Sequence, residues 1–381
     1  MEFRDLKRQY QLHRVEIDGA IQAVLDSTHF IIGPQVVQLE QELAGYTGTK
    51  HCIACGNGTD ALQLALMAWE IGKGDAVFVP DFTFFSSGEV VPLTGAAPVF
   101  VDVDRDTYNI SVDSLRAAID YVIRHTDLRP RVIVAVDLFG RPADYTAIRQ
   151  IADQYGLLIL EDAAQSFGGM ADGRKTCSFG DIGTTSFFPS KPLGCYGDGG
   201  AVFTDNDAWA DRLASLRVHG KGSDKYDNVR IGMNSRLDTL QAAVLLQKLR
   251  FLEEELEACD RVAAGYSERL RDLVQIPAQM SAPMRSAWAQ YTICLKDKEE
   301  RERVIAQMKA DGIPSAVYYK KPMHRQAAFA GDLIQAVSCE NTEYICERCL
   351  SLPFHPYIQE AEIEAVCDSI RSAADGWQRH G

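Results

Sequence analysis

Arg131-Val-Ile-Val-Ala-Val136 and Gly156-Leu-Leu-Ile-Leu160-Glu161-Asp162 are the two runs on which the fold turns. Each is apolar at successive positions, so neither face of the strand it forms is suited to water. A helical stretch separates them. Continuous β-branched and aliphatic runs alternating with helices mark a sheet covered on both faces and mostly parallel. The pattern repeats outward: Cys52 to Ala54 precedes a helix with Ala61, Leu62, Ala65, Leu66 and Trp69 on one face. Ala76-Val-Phe-Val79 precedes a helix opening near Thr83, and Pro98-Val-Phe-Val101 supplies a further strand. The expectation is an α/β domain.

The chain has 381 residues, enough for two or three domains at about 150 residues each. Lys and Arg total 39 against 53 Asp and Glu, a formal charge of −14. That balance argues against nucleic acid or an anionic membrane as partner, yet leaves a phosphorylated small molecule open, because a few local donors decide such binding. Met1-Glu2-Phe3-Arg4-Asp5 lacks the order of a signal peptide, and the longest apolar run, Leu64 to Trp69, is too short to span a bilayer. A cytoplasmic protein with reduced thiols is expected. Cys52 and Cys55, and Cys346 and Cys349, have metal-ligand spacing; their separation and the apolar setting of the first pair favour core cysteines over zinc.

In sheets of this kind ligands bind beyond the carboxyl ends of the strands. Three segments fall there. Cys55-Gly56-Asn57-Gly58-Thr59-Asp60 is a strand-to-helix turn able to offer N–H groups to a phosphate. It also imitates a dinucleotide fingerprint, and the next strand ends at Asp81, so an NAD-dependent enzyme satisfies the same pattern. Asp162 closes a very apolar strand, either as a partly desolvated carboxylate or as a helix cap. Lys191 sits between the strand ending near Ser186 and the glycine-rich return Gly194 to Gly200. Together the three supply what pyridoxal phosphate requires. Gly58, Thr59 and Ser186 would bind its phosphate, Asp162 would keep its ring nitrogen protonated, and Lys191 would hold its aldehyde as a Schiff base and then carry the proton.

Five ordered blocks then resemble one family: Gly33-Pro34 with Leu39-Glu40, Asn57 to Leu62, Glu161 to Gln165, Ser186-Phe-Phe-Pro-Ser-Lys191, and Asn234-Ser-Arg236 with Gln241-Ala-Ala243. The chain is similar to the DegT/DnrJ/EryC1/StrS sugar aminotransferases. The resemblance implies the aspartate-aminotransferase-like fold (fold type I). This has a large domain around a seven-stranded, mixed, mostly parallel sheet and a small α+β carboxy-terminal domain, here placed at 1–257 and 258–381. It also implies pyridoxal 5'-phosphate and a ping-pong transfer of an amino group from glutamate to a keto group on a nucleotide-linked sugar. A homodimer with a shared active site is implied as well.

By the same resemblance Lys191 is the Schiff-base lysine, Asp162 the partner of the ring nitrogen, Gln165 the neighbour of the ring hydroxyl, and Phe84 the ring stacked on the cofactor. Gly58, Thr59 and Ser186 fall on phosphate donors, and Asn234 on the residue that reaches the phosphate from the neighbouring subunit. Arg236, Tyr319 and His324 are the substrate candidates. Tyr319 and His324 lie in a segment where Lys320 replaces the usual proline. The wording around Lys191 and Arg236 is similar to transaminases acting at C3 of a UDP-linked 2-acetamido-3-keto-hexuronate, with Arg236 as partner for the sugar carboxylate. Amination at C4 of a UDP-, GDP- or dTDP-4-keto sugar, and an aminohydroxybenzoate-synthase-like activity, are the alternatives within the family. A non-catalytic cofactor- or nucleotide-binding regulator is the alternative outside it.

Downstream, Ser235 and Asp238 have capping-box spacing at the head of one long helical stretch, Arg236 to about Glu257. Strands are expected at Tyr291 to Leu295 and Ala316 to Tyr319, and helices near 298–311 and 360–374. The polar stretch from His219 to Arg230, with Gly220 and Gly222, reads as a mobile active-site loop, and Lys221, Arg230, Lys320 and Arg325 would add positive field for a nucleotide diphosphate.

Overall fold

Strands β1 (His51–Cys55), β2 (Asp75–Pro80), β3 (Ala97–Val101), β4 (Arg129–Val136) and β5 (Leu158–Asp162) follow the apolar runs of the sequence. They appear in a computed structural model that describes every residue except 225, 281–282, 332–333 and 375–381. A short hairpin, β6 (Met170–Ala171) and β7 (Arg174–Lys175), leads to β8 (Ile182–Ser186) and β9 (Gly200–Thr204); β10 (Tyr291–Cys294) and β11 (Cys349–Leu352) form a separate pair. The main sheet has seven strands in the order β1-β9-β8-β5-β4-β2-β3. Only β9 runs against the others, pairing antiparallel with both β1 and β8. All five residues of β9 and all six of β2 are buried, as a sheet sandwiched by helices requires.

Local signals set the helices on both faces. Asn57 caps Gly58–Ala68, Ser111 caps Val112–His125, and Asp144 caps Tyr145–Tyr155, each accepting an N–H of the first turn. Helix Tyr145–Tyr155 ends at Gly156, whose φ of 68° is the left-handed conformation that glycine adopts without strain. On one face Leu64, Val79, Val134 and Leu160 pack together; on the other Phe78, Ile119, Ile133 and Ile148 do so. Full burial of each such side chain contributes about 1.5–3 kcal/mol.

The carboxy-terminal part has its own core of Tyr266, Tyr291, Val304, Phe354, Val366 and Ile370. Helix Leu252–Leu270 connects the two cores. Its Leu252 and Leu256 pack beneath the main sheet, while Cys259, Val262 and Tyr266 pack in the second core.

Three local expectations are corrected. The long helical stretch is two helices, Thr239–Leu249 and Leu252–Leu270. They break at Phe251, whose ring turns to stack on His13 at 3.5 Å between centroids. Ser235 does not cap the first of them; its hydroxyl accepts the Gly56 N–H at 3.0 Å and so braces the turn after β1. Residues 316–319 are not a strand. Only Ala316 bridges, to Ser351, and the chain then turns so that Tyr318 and Tyr319 reach the site described below.

His355 gives the fold a measurable pH dependence. It is 3% exposed, its Nδ1 accepts the Tyr357 N–H, and its Nε2 makes no hydrogen bond among the described residues. Burial pushes its pKa down to about 4 from 6.5. The unfolded chain therefore takes up this proton near pH 6.5 and the folded chain only near 4. Stability from this group is complete above the first value and declines as pH falls toward the second, by about 3 kcal/mol in all. His355→Phe is expected to flatten the fall in melting temperature between pH 7 and pH 5; an unchanged slope would dismiss the assignment.

Candidate active site

A cavity of about 460 Å³ opens at the carboxyl end of the sheet. The turn after β1 contributes Asn57, Gly58 and Thr59; the segment after β2 contributes Thr83, Phe84, Ser86 and Ser87; β5 contributes Asp162 and β8 contributes Ser186. Lys191 enters from the loop between β8 and β9, and Tyr318 and Tyr319 come from the carboxy-terminal part. This is the switch point of the sheet, where loops from neighbouring strands diverge and leave room for a ligand.

The turn after β1 fits closely against β8. A Cβ on Gly58 would stand 2.7 Å from the Ser186 Cβ, so only glycine brings these backbones together. Asn57 Oδ1 accepts the Asp60 N–H at 2.8 Å. The N–H groups at the start of the helix have no partner within it, and with the Thr59 and Ser186 hydroxyls they form an anion cup.

The loop carrying Lys191 is pinned along its length. The Phe187 N–H donates to Gly199 O at 2.7 Å, Cys195 N–H to Phe187 O at 2.8 Å, and the Lys191 N–H to Phe188 O at 2.9 Å. From outside, Lys248 Nζ donates to Gly194 O at 2.5 Å and Arg4 Nη2 to Lys191 O at 3.2 Å. The Lys191 amine itself has no hydrogen-bond partner among the described residues. Burial brings its pKa down to about 8, against the opposing pull of Asp162, with Arg4 lowering it further.

Asp162 is 5% exposed, and burial raises its pKa. Three influences oppose that shift: the Ser87 hydroxyl donating to Oδ2 at 2.7 Å, the Ala164 N–H donating to Oδ1 at 3.2 Å, and the charge of Lys191. Gln165 is held at both ends of its amide. Its oxygen accepts the Phe139 N–H at 2.7 Å and its nitrogen donates to the Tyr319 hydroxyl at 3.1 Å. Phe139 has a φ of 59°, an uncommon conformation for a phenylalanine, and this local strain presents its N–H to Gln165.

Gly58, Thr59, Phe84, Asp162, Gln165, Ser186, Lys191 and Tyr319 thus line one cavity. Asn234, Arg236 and His324 are not among the described residues lining it. Asn234 is exposed, and Arg236 is partly buried without a hydrogen-bond partner among the described residues. His324 is bound to Asp81, through Nδ1 at 2.6 Å and through its N–H at 2.8 Å, and Nε2 lies 3.4 Å from Glu343. The hydrogen bond to the Asp81 carboxylate raises its pKa. Arg325 also pairs with Glu343. Sequence reasoning missed Ser87, Thr83 and Gln290, which also line the cavity. The paired serines Ser86-Ser87, just past a strand's carboxyl end, were the available signal.

The donor cup, the buried carboxylate and the unpaired amine match pyridoxal phosphate group by group. Fold and site together define a pyridoxal-phosphate-dependent transferase of the aspartate-aminotransferase type. The model of the DegT/DnrJ/EryC1/StrS aminotransferase family matches residues 11–371, and the chain belongs to that family. It is similar to the UDP-2-acetamido-2-deoxy-3-oxo-D-glucuronate aminotransferase of Pseudomonas aeruginosa, with 43% identity over 97% of this chain and 99% of the relative. It is 40% identical to the UDP-N-acetyl-3-dehydro-alpha-D-glucosamine 3-aminotransferase of Acidithiobacillus ferrooxidans, over 98% of this chain and 97% of that one. Among solved structures it resembles a family aminotransferase from Brucella abortus, with a TM-score of 0.95 and 50% identity over 98% of this chain and 99% of that one.

Proposed function

We propose that this aminotransferase moves an amino group from glutamate to C3 of a UDP-linked 2-acetamido-3-keto-hexuronate. The observation that carries the chemistry is the unpaired Lys191 amine held in one cavity with buried Asp162. The substrate position is supported by two relatives whose names place the keto group at C3 of a UDP-linked 2-acetamido sugar.

When bound, pyridoxal phosphate supplies an electron-poor ring that lowers the cost of removing a proton next to the migrating nitrogen. The residues do the rest. Gly58, Thr59 and Ser186 would hold the phosphate, Phe84 would pack against the ring, and Gln165, whose amide nitrogen donates to the Tyr319 hydroxyl, would stand beside the ring hydroxyl. Asp162, in its ionised form, would hold a proton on the ring nitrogen. Lys191 Nζ, neutral in a large fraction near its pKa of about 8, takes the proton from the substrate carbon and returns it on the other side of the transfer. Glutamate and the keto sugar use the cavity in turn, which is a ping-pong cycle.

Arg236 is assigned to the sugar carboxylate and His324 and Tyr319 to the substrate loop, with Asn234 completing the phosphate cup of a second copy in a homodimer. Two features support that assembly. Phe84 and Phe188 line the cavity yet remain 54% and 51% exposed, so one chain leaves the mouth open. Arg236 also retains an unused guanidinium. No described helix is long and apolar enough to cross a membrane.

The test is spectroscopic. The visible absorption of the lysine-bound cofactor should disappear with glutamate and return with the UDP-linked 3-keto uronate, and not with 4-keto sugars. Return with a 4-keto sugar alone would transfer the assignment to C4. No return with any keto sugar would remove the sugar substrate.

A further inference from the structure

Ser87 and Thr83 belong to none of the roles above, yet both are buried against the cavity, at 1% and 4% exposure. The Ser87 Oγ donates to Asp162 Oδ2 at 2.7 Å, and the Thr83 Oγ1 lies 3.0 Å from the Ser87 Oγ. A hydroxyl has one proton to give, and an ionised carboxylate only accepts. With the Ser87 proton committed to Asp162, the second contact must run from Thr83 to Ser87. An ionised Asp162 gives this chain a single direction, from Thr83 through Ser87 to Oδ2, and draws the strongest bond from Ser87. Protonation of Asp162 would weaken the acceptor at Oδ2, so the Ser87 hydroxyl favours the ionised form.

The chain also determines which oxygen is occupied. Ser87 takes Oδ2, and the Ala164 N–H takes Oδ1 at the longer distance of 3.2 Å. Chained hydroxyl donors polarise one another, and hydrogen bonds to a charged acceptor are the stronger kind. Ser87 stands in the first turn of the helix Ser86–Leu93, beside Ser86, whose Oγ lies 2.7 Å from Thr59 Oγ1. One helical turn thus braces both the anion cup and the carboxylate.

We propose that Ser87, backed by Thr83, is a positioning residue that keeps Asp162 ionised and aimed at the ring nitrogen of the cofactor. This rests on the reading of Asp162 as partner of that nitrogen. Other titratable groups that interact with Asp162 are Lys191, which favours its ionised form, and the Tyr319 phenol and Cys177 thiol, whose ionisation Asp162 opposes.

The experiment uses the full-length holoenzyme and follows the pH titration of its visible absorption, together with the dissociation constant for pyridoxal phosphate. Loss of charge on Asp162 releases the proton on the ring nitrogen, which makes the nearby lysine–cofactor nitrogen more basic and moves the titration midpoint upward. Ser87→Ala is expected to raise the midpoint by about half a pH unit or more and to lower kcat about tenfold, with KM for glutamate nearly unchanged. Ser87→Thr, which keeps the hydroxyl, should restore both, and Thr83→Val should give a smaller shift in the same direction. The melting temperature of cofactor-free Ser87→Ala separates general destabilisation from this effect, since a structural role would lower it and leave the midpoint in place.

Asp162→Asn, titrated in parallel, keeps the two readings apart. A midpoint that moves in Asp162→Asn and not in Ser87→Ala or Thr83→Val overturns the role of Ser87 alone. One that moves in none of the three overturns the reading of Asp162 and this inference with it.

Discussion

Lys191→Ala is expected to lower the rate of the glutamate half-reaction by about 10⁴-fold, close to 5.5 kcal/mol of barrier, because one group both anchors the cofactor and carries the proton. The loss should appear in kcat, since the anion cup and Asp162 still hold pyridoxal phosphate. A small primary amine added to the solution should recover part of the rate, with an optimum that follows the pKa of the added amine. In the unaltered enzyme, cofactor uptake by the cofactor-free protein should accelerate as pH rises through about 8, where burial places the Lys191 amine. The sign follows from the chemistry: the neutral amine attacks the aldehyde, and lowering a lysine pKa enlarges its neutral fraction at a given pH. Lys191→Arg keeps the charge but does not deprotonate, so it should be as inactive as the alanine variant. Single-turnover kinetics with glutamate decide this; a loss below about tenfold would remove Lys191 from the chemistry.

The second large effect is expected from Asp162→Asn, a fall in kcat of about 10²- to 10³-fold. Asparagine is nearly isosteric, and its side-chain oxygen can still accept from Ser87, so the local fold should survive. What disappears is the negative charge proposed to keep a proton on the ring nitrogen. Burial already works against that charge, and Ser87, the Ala164 N–H and Lys191 counter it. Binding of pyridoxal phosphate should weaken far less than turnover, since the phosphate cup does not involve Asp162. A variant with kcat reduced less than threefold would show that the ring nitrogen has another partner.

Much of this was legible along the chain because the signals are local. The strands β4 and β5 follow from continuous apolar runs, and Lys191 stands out because glycines and a proline surround it on a return between two strands. Gly58, Thr59 and Asp162 fall at strand ends, where an α/β sheet places its ligands. Less legible were the features that depend on packing partners far away in sequence. Phe251, at the break between two helices, stacks on the ring of His13. Ser235 resembles a cap yet serves the Gly56 N–H, 179 positions away. Residues 316–319 have strand-like composition, but only Ala316 finds a partner in Ser351.

The sequence by itself determined the α/β sheet, the family and the chemical types assembled for the cofactor, because hydrophobic period, turn glycines and strand-end residues act within a few positions. The tertiary structure alone decided the ionisation and aim of those groups. Lys191 owes its lowered pKa to burial, and the rise that burial imposes on Asp162 is opposed by a hydroxyl 75 positions earlier. Gln165 owes its orientation to a strained Phe139 and to Tyr319 from the carboxy-terminal part. Desolvation and hydrogen-bond direction are properties of surroundings, and surroundings exist only once distant segments have packed.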